Sequence, residues 1–199
     1  MTSGDAGRPR QSPAGLRRIG SVAAAVPTAY SLLMAMHDAL LAEYDHEMAT
    51  TRRLLDRVPD GALGWKPHDR SMTLGQLAGH IANIPHWGSA ILDCGDFDLA
   101  ASGPDDRPGT PESVAHVLAD FDSKVVKARG SLAAASDADM AAPWSLKKAD
   151  FVLFTMPRTG ALRSFVMNHI IHHRGQLSVY LRLQNVPVPP IYGPTADEA

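Results

Sequence analysis

Cysteine is almost missing from this chain of 199 residues, which contains a single one, Cys94. One cysteine excludes an intramolecular disulfide and a cysteine-rich zinc module, and it fits a reducing compartment, so we expect a cytoplasmic protein. The chain also has no large excess of charge of either sign, because its 19 Lys and Arg residues nearly balance its 21 Asp and Glu residues, for a net charge of -2. Without a basic block, the sequence argues against binding to nucleic acid.

Long hydrophobic runs are also missing. No stretch reaches the roughly 18 uninterrupted apolar residues of a transmembrane helix, so we expect no membrane segment. A small-residue run at 22–26 follows two arginines and loosely imitates a secretory signal, but Pro27 interrupts it and it has no leucine-rich segment. We therefore interpret residues 1–30 as a disordered extension and residues 31–199 as one domain of ordinary size.

Apolar residues recur at steps of three and four, the period of a helix with one buried face, in four long segments. The predicted helices run from Tyr30 to Val58, from a cap at Ser71 or Thr73 to about Leu92, from Glu112 to about Ala135, and from Ala161 to Gln184. Pro85 lies inside the second of them. Because proline removes a backbone hydrogen bond, we expect a kink or a break there.

The connecting segments indicate how the helices are joined. Residues 95–111 are acidic and rich in proline, which predicts a long surface loop, while residues 137–159 lack a helical period and contain the apolar run Phe151 to Met156. We expect the latter to be an extended segment or a short hairpin lying across the helices. The predicted fold is all-α, a four-helix bundle with a long crossover and a short extended segment before the last helix.

Three histidines lie within five residues of the fourth helix, at positions 169, 172 and 173. At about 100° per residue, His169 and His173 are about 40° apart and one turn apart along the axis, so both could reach one ion. His172 is displaced by about 60° to the other side of His169, so we assign it to the flank of the site. The pair His169 and His173 is the candidate metal clamp.

A third ligand has to come from another helix, because two imidazoles leave a transition metal under-coordinated. His80 is the best candidate, since it occupies the apolar face of helix two between Leu77 and Ile84. The competing interpretation is a hydrogen-bonded core histidine. The remaining histidines lie in loops or away from the inferred core faces and are weaker candidates: His37, His46, His68, His86 and His116.

Several other residues near these positions have two interpretations. Glu47 could add a carboxylate to the site, although an ion pair on the helix surface is the favoured role. Arg174, next to the clamp, could equally be solvated. Trp65, Trp87 and Tyr180 are interpreted as core aromatics rather than substrate contacts.

Three segments carry a resemblance to a known family. They are His46-Glu47, the stretch from Trp65-Lys66-Pro67-His68 through Leu77-Ala78-Gly79-His80-Ile81-Ala82, and Asn168-His169-Ile170-Ile171-His172-His173-Arg174-Gly175-Gln176-Leu177. In these segments the chain resembles the DinB family of bacterial four-helix metalloproteins. The resemblance implies a bundle with an unusual helix order, often paired as a dimer, and a metal held by His80, His169 and His173.

The resemblance also sets expectations for function. Characterised members include transferases and isomerases that use low-molecular-weight bacterial thiols, while many others are described only as metal-dependent hydrolases. Three ligands leave a coordination position open, as in catalytic sites. We expect a homodimer that binds a divalent transition metal, zinc or nickel, and acts on a small molecule as a thiol-dependent S-transferase. A metal-dependent hydrolase, or a non-enzymatic protein that binds a metal or small ligand, is the alternative, and no catalytic side chain is assigned.

Removal of residues 1–30 should leave folding and metal binding unchanged, because this segment lacks periodic apolar residues and is rich in Gly, Pro, Ser and Arg. Thermal unfolding and metal analysis of the truncated and full chains test this expectation. A large drop in melting temperature would show that the segment belongs to the domain.

Overall fold

The first long helix forms where the sequence places a buried stripe. Leu40, Tyr44 and Met48 recur at helical spacing and are buried on helix α1, Met36–Leu55. The structure of the protein is a computed structural model that describes residues 1, 36–103 and 110–198. The predicted start of this helix at Tyr30, like the predicted extension over residues 1–30, lies outside the described residues apart from Met1. The helix ends three residues earlier than predicted, because the chain tightens into turns ahead of Pro59.

Helix α2, Leu74–Asp93, begins at a capping box. The Thr73 hydroxyl accepts from the backbone N–H of Gln76, whose side chain accepts in return from the backbone N–H of Thr73. Of the two caps considered from the sequence, the structure therefore uses Thr73. The helix runs through the buried Pro85 without the break that was one of the two expected outcomes. Proline removes a single backbone hydrogen bond, and the packing of α2 against its neighbours outweighs that loss.

Helix α3, Val114–Ala134, and the short helix α4, Asp137–Ala141, follow in the chain. Serine caps both of them, since the hydroxyls of Ser113 and Ser136 accept from backbone N–H groups three residues later. Helix α3 thus begins two residues after the predicted start at Glu112. Helix α4 corrects the prediction that residues 137–159 contain no helix.

The predicted short hairpin is present between the helices. Strands β2, Pro143–Lys148, and β3, Phe151–Pro157, pair antiparallel with a bulge between Leu146 and Lys147. The turn between them holds Ala149 at a φ of 52°. Strand β1, Asp96–Asp98, pairs parallel with β2 and makes a sheet in the order β1-β2-β3. Strand β1 lies in a stretch that the sequence predicts to be a loop.

The last long helical segment is not a uniform α-helix. It begins with helix α5, Arg158–Leu162, continues through a π-helical turn, Arg163–Met167, and ends with helix α6, Asn168–Leu183. The prediction of a continuous helix from Ala161 to Gln184 missed the π-helical turn. The segment closes on Asn185, whose φ of 56° allows the backbone N–H of Val186 to reach the carbonyl of Leu181.

Four helical segments pack around one core. Helix α2 packs against α3, α6 and the π-helical turn, and α1 packs against α3 and α6. The hairpin joins this core through Trp144, which is fully buried. The prediction of an all-α four-helix bundle is confirmed, with the small sheet as an addition. Among the described residues, no helix has both the length and the apolar character needed to cross a membrane.

Candidate metal centre

Three imidazoles meet where α2 packs against α6. Helix α2 supplies His80, and α6 supplies His169 and His173 from successive turns of one face. One ring nitrogen of each histidine lies within 4.8 Å of those of the other two, so the three could hold a metal ion together. His173 is buried, and the other two are half-buried. The structure therefore brings together the three residues that the sequence singled out.

The spacing of two of these nitrogens suits a shared cation. The Nε2 atoms of His80 and His169 are 3.2 Å apart. Two imidazole nitrogens bound to one zinc ion at about 2.0–2.1 Å, with an angle of about 90–110° between the bonds, are about 2.8–3.4 Å apart. A hydrogen bond between the two rings would span a similar distance. The separation alone thus fits both interpretations.

The outer nitrogens of the two α6 histidines have fixed partners. Nδ1 of His169 lies 3.3 Å from the carbonyl oxygen of Phe165, and Nδ1 of His173 lies 2.7 Å from Oε1 of Gln176. Because a carbonyl oxygen can only accept, Nδ1 carries the proton in both rings and donates it. The lone pair is then on Nε2 in both histidines. This arrangement orients a histidine for metal binding.

Burial keeps the three imidazoles neutral. It lowers the pKa of His80 to about 4, with a further contribution from the neighbouring His173 and His169. Burial also holds the pKa of His169 and of His173 below the ordinary value, although their hydrogen bonds to Phe165 and Gln176 act in the opposite direction. At pH 7 all three rings therefore present unprotonated nitrogen, the form that binds a metal.

Comparison with known proteins identifies the family of the chain. The model of the DinB family matches residues 34–199. The chain belongs to the DinB family. It is also similar to YrdA of Bacillus subtilis (strain 168), a protein described as uncharacterized, with 26% identity over 162 residues that cover 81% of this chain and 90% of YrdA.

Two solved DinB-like structures share the fold. A DinB-like protein from Bacillus cereus ATCC 10987 matches with a TM-score of 0.60 and 22% identity, covering 79% of this chain and 98% of that one. The DinB-like protein YjoA from Bacillus subtilis matches with a TM-score of 0.60 and 17% identity, covering 78% and 97%. At these identities the likeness supports the DinB fold and carries no residue roles.

The other histidines of this DinB protein lie outside the triad. His172 is exposed, and its ring contacts that of His173 at a centroid distance of 4.7 Å without joining the group that could hold a metal. His46, His68 and His116 are exposed, and Nδ1 of His68 accepts from the backbone N–H of Arg70. These positions agree with the ranking made from the sequence.

Glu47 and Arg174 are placed differently from the sequence interpretation. Glu47 does form an ion pair, but the pair is buried rather than on the helix surface, with 2.6 Å between Oε2 of Glu47 and Nη2 of Arg174. Arg174 is 1% exposed, so it is not solvated. Its charge is matched inside the bundle, where an unpaired guanidinium would be costly. Glu47 is consequently engaged away from the triad.

The aromatic side chains that the sequence predicted for the core are half-buried and pack against it. Trp65 and Tyr180 pack edge to face at 5.6 Å, and both lie against the hydrophobic core. Trp87 stacks on Phe165 at 6.2 Å, and Phe165 stacks on Phe154 at 5.5 Å. Phe165 lies one turn before His169 and also supplies the carbonyl that anchors it. This role of Phe165 was not predicted from the sequence.

Substitution at the triad should remove a bound metal. We expect the wild type, purified without a metal-affinity tag, to carry up to one equivalent of a divalent transition metal. His80→Ala, His169→Ala and His173→Ala should each lose most of it, because two imidazoles hold such an ion poorly. Elemental analysis of proteins shown to be folded by circular dichroism measures the difference.

His172→Ala is the matched control, since it removes a neighbouring imidazole that lies outside the triad. Full occupancy in the triad variants would exclude this site. Loss confined to His172→Ala would mean that the wrong pair on α6 had been chosen.

Acid should destabilise the metal-free protein through the same histidines. The pKa of His80 falls from 6.5 to about 4 on folding. Between these values the unfolded chain takes up a proton that the folded chain does not, so the free energy of unfolding decreases as the pH falls through this window. Chemical denaturation of chelator-treated protein at pH 7, 5.5 and 4.5 measures the slope. His80→Asn should flatten it, and an equal slope in both proteins would contradict the assignment.

Proposed function

We propose that this DinB protein holds a divalent transition metal, zinc or nickel, through His80, His169 and His173. We further propose that it is a metal-dependent enzyme for small molecules, with S-transfer from a low-molecular-weight thiol as its reaction class. The observation that carries the proposal is the convergence of three neutral imidazole nitrogens within 4.8 Å. Three protein ligands leave room for a substrate atom at the ion, as in catalytic zinc sites.

The charge balance around the triad supports a thiol as the substrate. All three ligands are neutral, and the outer partners of His169 and His173 are a peptide carbonyl and an amide oxygen, which are neutral as well. A divalent ion here would retain its charge and favour an anionic ligand. When bound, the metal would supply the Lewis acidity that keeps a thiol in its thiolate form at neutral pH.

A hollow beside the triad offers space for the second substrate. It has a volume of about 380 Å³ and is lined by Ser164, Phe165, Asn168, His169 and His172. Its lining residues include His169 and the aromatic residue Phe165, and none of them is Lys, Arg, Asp or Glu. These walls suit a small uncharged group that presents an electrophilic atom near His169.

The hydrolase alternative gains less support from the described residues. Activation of water at the open position calls for a general base within hydrogen-bonding reach. The carboxylate considered from the sequence, Glu47, is engaged by Arg174 and by the Tyr192 hydroxyl. The group of side chains that could hold the metal contains no carboxylate.

The assembly and location of the protein are proposals of the same kind. We propose a cytoplasmic homodimer in which residues 31–199 form the DinB domain and residues 1–30 an extension. The family match from residue 34 supports a domain start close to this position. Cys94 is free and exposed, which fits a reducing compartment.

Cobalt substitution should show whether a thiol can bind at the site. Cobalt held by three imidazoles and water has no sulfur charge-transfer band, so an added bacterial thiol should introduce one in the near ultraviolet and release a proton. Absorption spectroscopy and a pH indicator measure both effects. His169→Ala should show neither, because it lacks the site.

Cys94→Ser controls for the single internal thiol and should behave like the wild type. Cys94 follows His80 by 14 residues, or about 21 Å along the helix. If azide perturbs the spectrum and thiols do not, the hydrolase alternative is favoured. If neither ligand perturbs it, the ion is closed off, and a non-enzymatic binding role replaces the transferase.

A further inference from the structure

A buried ion pair lies on the opposite side of the ligand-bearing turn from the triad. Arg174 directly follows His173 in the chain, yet its guanidinium faces α1 instead of α2. Nη2 lies 2.6 Å from Oε2 of Glu47, and Nη1 donates to the Glu47 carbonyl at 3.2 Å and to the Thr51 hydroxyl at 3.3 Å. Arg174 is 1% exposed and Glu47 is 5% exposed. One side chain thus ties α6 to two turns of α1.

The chain after α6 completes this cluster. The Tyr192 hydroxyl donates to the Glu47 carboxylate, with 3.0 Å to each oxygen, and accepts from Nη2 of Arg174. The Tyr192 ring lies over the guanidinium, 5.0 Å from its carbon. Although Tyr192 as a whole is 65% exposed, its hydroxyl closes the buried ion pair.

The position of Arg174 allows it to control rotation of the helix. At about 100° per residue, its side chain leaves α6 about 100° from His173 and about 140° from His169. An imidazole nitrogen lies roughly 6–7 Å from the helix axis, so a rotation of about 10° moves it by about 1 Å. A displacement of this size exceeds the roughly 0.5 Å tolerance of a preorganised site. The triad therefore requires α6 to be fixed about its own axis.

The π-helical turn before α6 gives a second reason for an anchor within α6. In Arg163–Met167 the backbone N–H of Asn168 reaches the carbonyl of Arg163, five residues back instead of four. A π-helical turn thus separates α5 from α6, so the angular position of the ligand-bearing turn does not follow from regular α-helical geometry. A buried ion pair is also a poor source of stability compared with apolar packing, which argues for a role in fixing one arrangement.

We propose that the Glu47–Arg174 ion pair, closed by the Tyr192 hydroxyl, positions His169 and His173 toward His80 by fixing the rotation of α6. These three are positioning residues, since none of them belongs to the triad. The inference rests on the proposed metal site. In this proposal, residues of α1 and of the chain after α6 help to orient the metal ligands.

Two variants remove all or part of the anchor without leaving an unpaired buried charge. Glu47→Leu combined with Arg174→Met replaces both charges by apolar side chains, and Tyr192→Phe removes one hydroxyl. Arg182→Met is the matched control, because Arg182 also links α6 to the later chain through Asp197, but in an exposed ion pair of 2.6 Å. Cobalt affinity is measured by competition with a chelator, at a temperature where circular dichroism shows each protein to be folded.

We expect the double variant to bind cobalt roughly 10-fold to 100-fold more weakly than the wild type, the usual effect of losing the support behind metal ligands. Tyr192→Phe should weaken binding in the same direction by a smaller factor, and Arg182→Met should leave it unchanged. The cobalt absorption bands at saturating metal should shift in the two anchor variants, which a general loss of stability would not cause. Unchanged affinity and bands in folded variants would overturn the proposal.

Measurements on the metal-free protein distinguish a failure of this proposal from a failure of the proposed function. The imidazole nitrogen resonances of His169 and His173 should move in Tyr192→Phe and stay in place in Arg182→Met. If the wild type binds no metal, the proposed function fails, and these resonances still decide whether the anchor orients the two rings. If the double variant does not fold, the inference is tested with Tyr192→Phe alone. Resonances of His169 and His173 that do not move in Tyr192→Phe would overturn the inference.

Discussion

The lone pairs of three imidazoles, one buried and two half-buried, set the main constraint on this structure. His169 and His173 commit their Nδ1 protons to Phe165 and Gln176, so the nitrogens that face the interior are acceptors. The pKa of His80 is about 4, so its ring is neutral at pH 7 and has a single N–H to donate. A hydrogen bond from His80 could satisfy one of the other two rings at most. One cation satisfies all three, and for this reason the metal interpretation accounts for more of the geometry than a hydrogen-bonded core does.

Most of the fold and the triad could be predicted because they depend on short-range periodicity. The spacing of apolar residues predicts four amphipathic segments, and α1, α2 and α3 begin or end within a few residues of the predicted positions. The four-residue step between His169 and His173 fixes their relative direction once the segment is helical. His80 followed from a different argument, since a histidine on a buried face needs a partner.

The features that the sequence did not predict depend on contacts between distant segments. Strand β1 is three residues long and exists only because β2 lies beside it. Burial of Arg174 depends on Glu47, which is 127 residues away in the chain. The π-helical turn at Arg163–Met167 could not be recognised from periodicity, because α5 before it is only five residues long and is too short to reveal a change of phase. Each of these features involves the hairpin or the neighbourhood of α6, where local propensity and tertiary packing compete.

The neutrality of the atoms around the triad bears on its chemistry. Many zinc-binding histidines donate to a carboxylate, which makes the ring more basic and offsets part of the charge of the ion. Here the acceptors behind His169 and His173 are amide oxygens, and the carboxylate of Glu47 is already balanced by Arg174. The positive charge of a bound ion would thus be offset less than in a site supported by carboxylates.

Because electrostatic attraction strengthens as water is excluded, a partly buried site of this kind discriminates in favour of an anionic ligand. A thiol has a lower pKa than water, so it reaches its anionic form there with less assistance, which is the physical reason to place thiol chemistry ahead of hydrolysis.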